Sequence, residues 1–193
     1  MSTAATKVQF SPDDLLTMPD GDFYELVDGN LVERKMSMLS SYIAGVIFSM
    51  LFAFCRPNRS GWVLPEGTSY QCFSADPGKV RKPDVSFIRL ERLSAEKAAA
   101  RGHGRIAPDL TVEVISPNDL YDEIDAKVEE WLSAGVQLVW VVSPRKRTVT
   151  VHRADGTSGI FHENDELTGE DAVPGFRCQV RELFLLPTEI GSV

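Results

Sequence analysis

Apolar residues at 39, 43, 46, 47, 50, 51 and 54 recur with a 3.6-residue period, predicting a helix from Met38 to Cys55. Its other face is only weakly polar, so it is expected to be well buried. Ser11-Pro12-Asp13-Asp14 reads as a helix start, with Ser as N-cap and Pro at the first helical position, and the helix should run to about Met18. Phe23 to Val27 and Leu31 to Arg34 flank Asp28-Gly29-Asn30, a hairpin signal. Trp62 to Leu64, Thr68 to Phe73 and Val85 to Ile88 read as strands, Ser94 to Arg101 as a short polar helix, and Gly102-His103-Gly104 as a loop. The runs Leu110 to Ile115 (LTVEVI) and Gln137 to Ser143 (QLVWVVS) are nearly continuous, as in strands covered on both faces. Between them Tyr121 to Ala134 reads as a helix stopped by Gly135. Thr148 to Arg153 continues as a hairpin arm, and a short strand is expected near Gly159 to His162. A β-helix-β passage over 110 to 143 implies a parallel crossover, hence an α/β fold: a mixed sheet with flanking hairpins and helices.

Composition narrows the class. The chain has 193 residues, 43% hydrophobic and 25% charged, which suits one domain with a sizeable core. Its net charge of −8 and pI near 4.9 exclude a protein that coats nucleic acid by bulk charge. Residues 155 to 193 carry 8 acids and 2 bases, leaving the body with 20 acids and 18 bases, close to neutral. Met1 to Lys7 is small and polar, which gives no secretory signal. The apolar stretch Tyr42 to Cys55 spans 14 residues, whereas a membrane helix needs about 20. Cys55, Cys72 and Cys178 are far apart and form no CxxC, and the three histidines share no ligand spacing; a reducing cytoplasm is the expected setting.

The candidate chemistry lies where charges interrupt apolar runs. Lys127 falls on the apolar stripe of its helix, with Ile124, Val128, Trp131, Leu132 and Gly135. Glu113 is the sole charge in LTVEVI. A buried charge needs a partner, and one salt bridge between Glu113 and Lys127 accounts for both; snorkelling of Lys127 to the layer edge is another account. Asp84 adds a second acid at the mouth of the strand DVSFI, after Pro83. Two acids on neighbouring strands, a backbone carbonyl such as that of Val114, and a lysine make a site for Mg²⁺ or Mn²⁺, with the ammonium placed to position water. A solvated strand-start cap also explains Asp84 alone. Glu25, the sole charge in FYELV, is a fourth candidate or an edge-strand acid facing water.

Tyr24-Glu25-Leu26-Val27-Asp28-Gly29, Lys82-Pro83-Asp84-Val85, Pro108 to Pro117 (PDLTVEVISP), Lys127, Gly135-Val136 and Val139-Trp140-Val141-Val142 together resemble the Uma-type family of endonucleases. That family is placed with the PD-(D/E)XK restriction-endonuclease-like superfamily, and the likeness runs from about Ser11 to Phe184. It implies a restriction-endonuclease-like core, a Mg²⁺- or Mn²⁺-dependent attack on DNA, Asp84 and Glu113 as metal ligands, and Glu25 completing the acidic cluster. The superfamily's lysine two residues after the glutamate is Ile115 here; the family's pattern moves it to the next helix, where Lys127 stands. Three positions depart from that pattern: Ser40-Ser41 replace a histidine at the long helix's start, Glu123 replaces an aspartate, and Trp131 replaces a tyrosine.

Lys79, Arg81 and Lys82 precede Asp84 and are placed to meet a phosphate, or simply form a solvated loop. Arg145-Lys146-Arg147 reads as a solvated turn, Trp131 and Trp140 as core aromatics, and His103 as exposed between two glycines. No phosphate-cradling glycine loop, GxSxG elbow or HExxH motif is present. Three functions compete: a metal-dependent endonuclease, a nuclease-fold module that binds nucleic acid or protein without cutting, and, far behind, a two-carboxylate glycosidase, which has no use for Lys127. DNA is the expected substrate; no membrane partner is expected, and a homodimer is compatible with a β-rich domain of this size.

Overall fold

The computed structural model describes residues 9–189; Met1 to Lys7, read above as free of a secretory signal, lie outside the described residues. The elements are, in chain order, α1 (Pro12–Thr17), the hairpin β1 (Tyr24–Val27) and β2 (Asn30–Glu33), α2 (Met38–Asn58), β3 (Gly61–Pro65), β4 (Val85–Arg89), α3 (Ala95–Ala98), β5 (Leu110–Val114) and α4 (Tyr121–Ser133). Then follow β6 (Leu138–Ser143), β7 (Thr148–Arg153), β8 (Ser158–Phe161), β9 (Glu166–Thr168) and β10 (Arg177–Gln179).

Six strands form one sheet in the order β3-β4-β5-β6-β7-β8. Only β5 and β6 are parallel, and α4 makes the crossover between them, as the pattern predicts. The alternation of side chains along the strands then assigns two different faces. Val85, Phe87, Leu110, Val112, Val114, Leu138, Trp140 and Val142 point to one side and pack with Ile43, Ile47 and Leu51 of α2. Ile88, Val139 and Val141 point to the other and pack with Val128 and Trp131 of α4. By the same parity Asp84 and Glu113 fall on the α4 side.

Local chemistry fixes the element ends. Ser11 and Asp14 form a reciprocal capping box on α1, and Ser37 and Ser40 do the same on α2. Asp28 and Gly29, both at positive φ (49° and 72°), make the tight hairpin turn. Gly135, at φ 97°, ends α4. Leu26 exchanges two backbone hydrogen bonds with Val80 (2.9 and 2.8 Å), pinning the β1–β2 hairpin to the segment that leads into Asp84.

Several expectations need correction. Thr68 to Phe73 is extended but not a strand; Tyr70 alone bridges, to Arg81 and to Gly104. His103 is buried, not exposed, because Ser69 Oγ (2.8 Å) and the Pro12 carbonyl (2.9 Å) engage its two ring nitrogens. The polar helix over 94–101 shrinks to Ala95–Ala98. Helix α2 continues past Cys55 to Asn58, its last turn holding Pro57. Its burial is one-sided: Met38, Leu39 and Phe52 remain exposed. The uncharged stretch also reaches back through Ser37 to Met36, because serines break an apolar run without adding charge. The resulting helix is long and apolar enough to cross a membrane by length and composition, and it is packed here along the sheet. The three-residue strands β9 and β10, paired with each other, have no counterpart in the hydrophobic pattern.

Candidate active site

Asp84, Glu113, Val114, Lys127 and Glu25 all line one cleft of about 460 Å³. Its walls come from the β1–β2 hairpin, the ends of β4 and β5, and α4, so residues more than one hundred positions apart converge there. Each acid is held differently. Asp84 accepts the Val114 N–H on Oδ2 (2.7 Å) and Arg34 Nη2 on Oδ1 (3.1 Å). Glu113 accepts Trp131 Nε1 on Oε1 (2.9 Å) and faces Lys127 Nζ with Oε2 at 3.5 Å. Glu25 accepts the Lys82 N–H on Oε1 (2.8 Å), while its Oε2 meets both Arg81 Nη1 (2.9 Å) and Lys127 Nζ (3.2 Å).

The electrostatics separate these three acids. Burial, aided by the charge of Glu113, pushes Asp84 up to about 7 against the donors on its oxygens. Burial also raises Glu113 in spite of Lys127 beside it. Glu25 is equally buried, yet Lys127 and Arg81 outweigh that and hold it below the usual range. Burial works against the charge of Lys127, but Glu113 and Glu25 overcome it and raise its pKa. Lys127 is therefore a fixed ammonium, wedged between two carboxylates and one-fifth exposed to the cleft. The expected Glu113–Lys127 ion pair exists and is the looser of the lysine's two.

Asp84 and Glu113 fit a hard divalent cation on chemical grounds. Burial raises both, Glu113 adds to the rise of Asp84 and Glu25 to that of Glu113, so added positive charge would favour their charged forms, and each oxygen keeps a lone pair beyond its one protein contact. The Val114 carbonyl would supply a third oxygen. Ile115 N–H points to β6 (to the Val142 carbonyl, 2.9 Å), so the Val114 carbonyl of the same peptide points to the β4 side, where Pro83 has no N–H and that of Lys82 is committed to Glu25. Among the described residues no cluster of three or more Asp, Glu, His or Cys side chains surrounds a common point. Two carboxylates and one carbonyl would leave the rest of an ion's shell to water, an arrangement that suits Mg²⁺.

The basic loop before Asp84 is neither solvated nor free for a phosphate. Lys79 and Arg81 pair with Glu130 of α4 (2.6 and 2.7 Å), and Lys82, 3% exposed, donates to the Gly21 carbonyl (2.8 Å). Of these side chains only Arg81 reaches a candidate site acid, Glu25. Arg145 and Lys146 are exposed as expected; Arg147 instead pairs with Glu163 and lies over Phe184. Trp140 is a core aromatic, whereas Trp131 both fills the core and orients Glu113. Where the family pattern has its histidine, Ser40 is fully buried and shares a hydrogen bond with Ser116 Oγ (2.8 Å). Sequence reasoning missed Arg34; its one signal is a cation at the exit of the acidic hairpin.

The family profile described as "Putative restriction endonuclease", Uma2, matches residues 12–181, and the chain belongs to that family. A solved structure described as "a putative nuclease belonging to DUF820 from Anabaena variabilis ATCC 29413" is similar at TM-score 0.76 and 21% identity, over 91% of this chain and 97% of that one. That likeness bears out the fold, and the family supports a nuclease-like function. No curated protein matches the chain.

Proposed function

We propose that the chain is a Mg²⁺- or Mn²⁺-dependent endonuclease that hydrolyses DNA phosphodiester bonds. The observation that carries this reading is the convergence of Asp84, Glu113 and Lys127 in one cleft, where burial raises both acids and so disfavours their charged forms unless a cation joins them. Asp84, Glu113 and the Val114 carbonyl would hold the ion. When bound, it supplies a Lewis acid for the phosphate and a water of lowered pKa. Lys127 keeps its proton, so it donates hydrogen bonds and orients water or offsets charge that develops on the phosphate. Glu25 and Arg81 fix the lysine's position, and Trp131 fixes that of Glu113.

Among the described residues the cleft is lined by nine acids and four bases, so by itself it repels a polyanion. A bound divalent cation would offset part of that field. None of its lining residues belongs to the acidic segment from 155 onward. Purified protein should nick or cut DNA with Mg²⁺ or Mn²⁺ and stop with EDTA, and Asp84→Ala should be inactive. Cleavage by Asp84→Ala at the parent's rate would overturn the assignment.

A second reading, a nuclease-fold module that binds without cutting, is favoured by one observation: every oxygen of Asp84, Glu113 and Glu25 already meets a protein donor or cation. Tight DNA binding without cleavage in any divalent salt would decide for it.

A further inference from the structure

Of the four cations that line the cleft among the described residues, Arg81 and Lys127 are locked on glutamates and Lys35 is exposed. Arg34 is the remaining one, and its position is unusual. It leaves the end of β2 with its backbone N–H on the Phe23 carbonyl (2.9 Å), which anchors its root. Its side chain is 9% exposed and reaches across to Asp84, touching Oδ1 with one nitrogen, Nη2, at 3.1 Å. The other terminal nitrogen, Nη1, meets Glu66 Oε1 at 3.3 Å, and the Glu66 side chain is 42% exposed. The guanidinium therefore straddles two acids with a single contact to each, instead of gripping one carboxylate in the stronger two-pronged way.

Asp84 Oδ2 is committed to the Val114 N–H, so Oδ1 is the oxygen most open to an incoming ion. A guanidinium 3.1 Å from that oxygen stands in the positive position an ion would take. We propose that Arg34 competes with the divalent cation for Asp84 and, once displaced, pivots on Glu66 to hold a substrate phosphate in the cleft. In the metal-free protein Arg34 partly offsets the charge of Asp84. With the ion in place, like charges drive the guanidinium outward, while its Nη1 contact and long stem keep it over the acidic walls. There it is the one lining guanidinium left to meet a phosphate, which arginine suits by its forked donors. This inference rests on the metal site proposed above.

The test is two titrations on the full chain, for the parent, Arg34→Met and Arg34→Lys. The first is calorimetric binding of Mn²⁺ alone. The second is binding of a short DNA duplex at several salt concentrations in Ca²⁺, used as a non-cleaving ion. Arg34→Met should bind Mn²⁺ at least about tenfold more tightly than the parent, while its DNA affinity falls and its salt slope drops by about one. Arg34→Lys, with the charge kept but the fork lost, should lie near the parent for Mn²⁺ and between the two for DNA. A merely structural arginine would weaken both or neither, so opposite movements are the signature. Unchanged or weaker Mn²⁺ binding by Arg34→Met, with the parent binding normally, overturns this inference alone. Failure of every variant and the parent to bind Mn²⁺ overturns it together with the metal site.

Discussion

The two faces of the central sheet are built from the same strands and differ in almost every other respect. Toward α2 the alternate residues of β4, β5 and β6 are Val, Phe, Leu and Trp, and the layer is apolar apart from Arg89 at the end of β4. Toward α4 the same strands present Asp84, Ser86, Thr111 and Glu113 among their apolar neighbours, and the helix answers with Lys127. The first face gains stability from buried area. The second gives some of it up to hold charges away from water, with cations and N–H donors supplied from three other segments. Separating the two tasks by strand parity lets five-residue strands serve both without conflict.

The comparison is sharpened first on the α4 side. Asp84→Ala and Glu113→Gln should each lower DNA cleavage by on the order of 10³-fold or more, since each removes a proposed metal ligand; single-turnover rates at saturating Mn²⁺ measure this. Their folded content should stay near the parent's. On the α2 side the opposite holds. Trp140→Ala should cost roughly 3–5 kcal/mol in urea unfolding, as for other buried tryptophans, with no direct effect on cleavage by the fraction that remains folded.

A third prediction links the faces through pH. Asp84 is pushed up to about 7 in the folded protein from its ordinary 3.8, so the native state binds the extra proton between those values. Its contribution therefore falls as pH rises from about 4 to 7 and is flat above. In EDTA, Asp84→Asn should melt higher than the parent at pH 8, by roughly 2–4 kcal/mol before any loss from the unpaired Arg34, and the gap should close toward pH 4. A constant gap across that range would mean that the carboxylate is not strained by its burial. The smallest effect is expected from Trp131→Phe, which keeps the ring and loses the N–H to Glu113. It should cost about 1.5–3 kcal/mol and slow cleavage by about tenfold, read as a lower kcat.

How far these features are legible in the sequence depends on the range of the forces involved. Glu113 and Lys127 stand out because each is a lone charge in an apolar pattern, and Asp84 because Pro83 sets its strand entry. The β-helix-β crossover is local and reads directly. What eludes the pattern are partners distant in the chain. Arg81 is satisfied by Glu25 and Glu130, 56 and 49 positions away, which turns an apparent solvated basic loop into buried counter-ions. His103 is buried by Pro12, 91 positions away. The β9–β10 pair is too short to show alternation. Arg34 reads as an ordinary surface cation until the hairpin is docked on Val80.

The central claim is that the α4 face holds a divalent cation on Asp84 and Glu113. Calorimetric titration of Mn²⁺ into the parent and Glu113→Gln, at pH 8 in low salt, tests it most directly. The account predicts saturable, one-site binding by the parent that Glu113→Gln loses while remaining folded. No binding by the parent, or equal binding by both proteins, would contradict it and leave Glu113 and Lys127 as a structural ion pair.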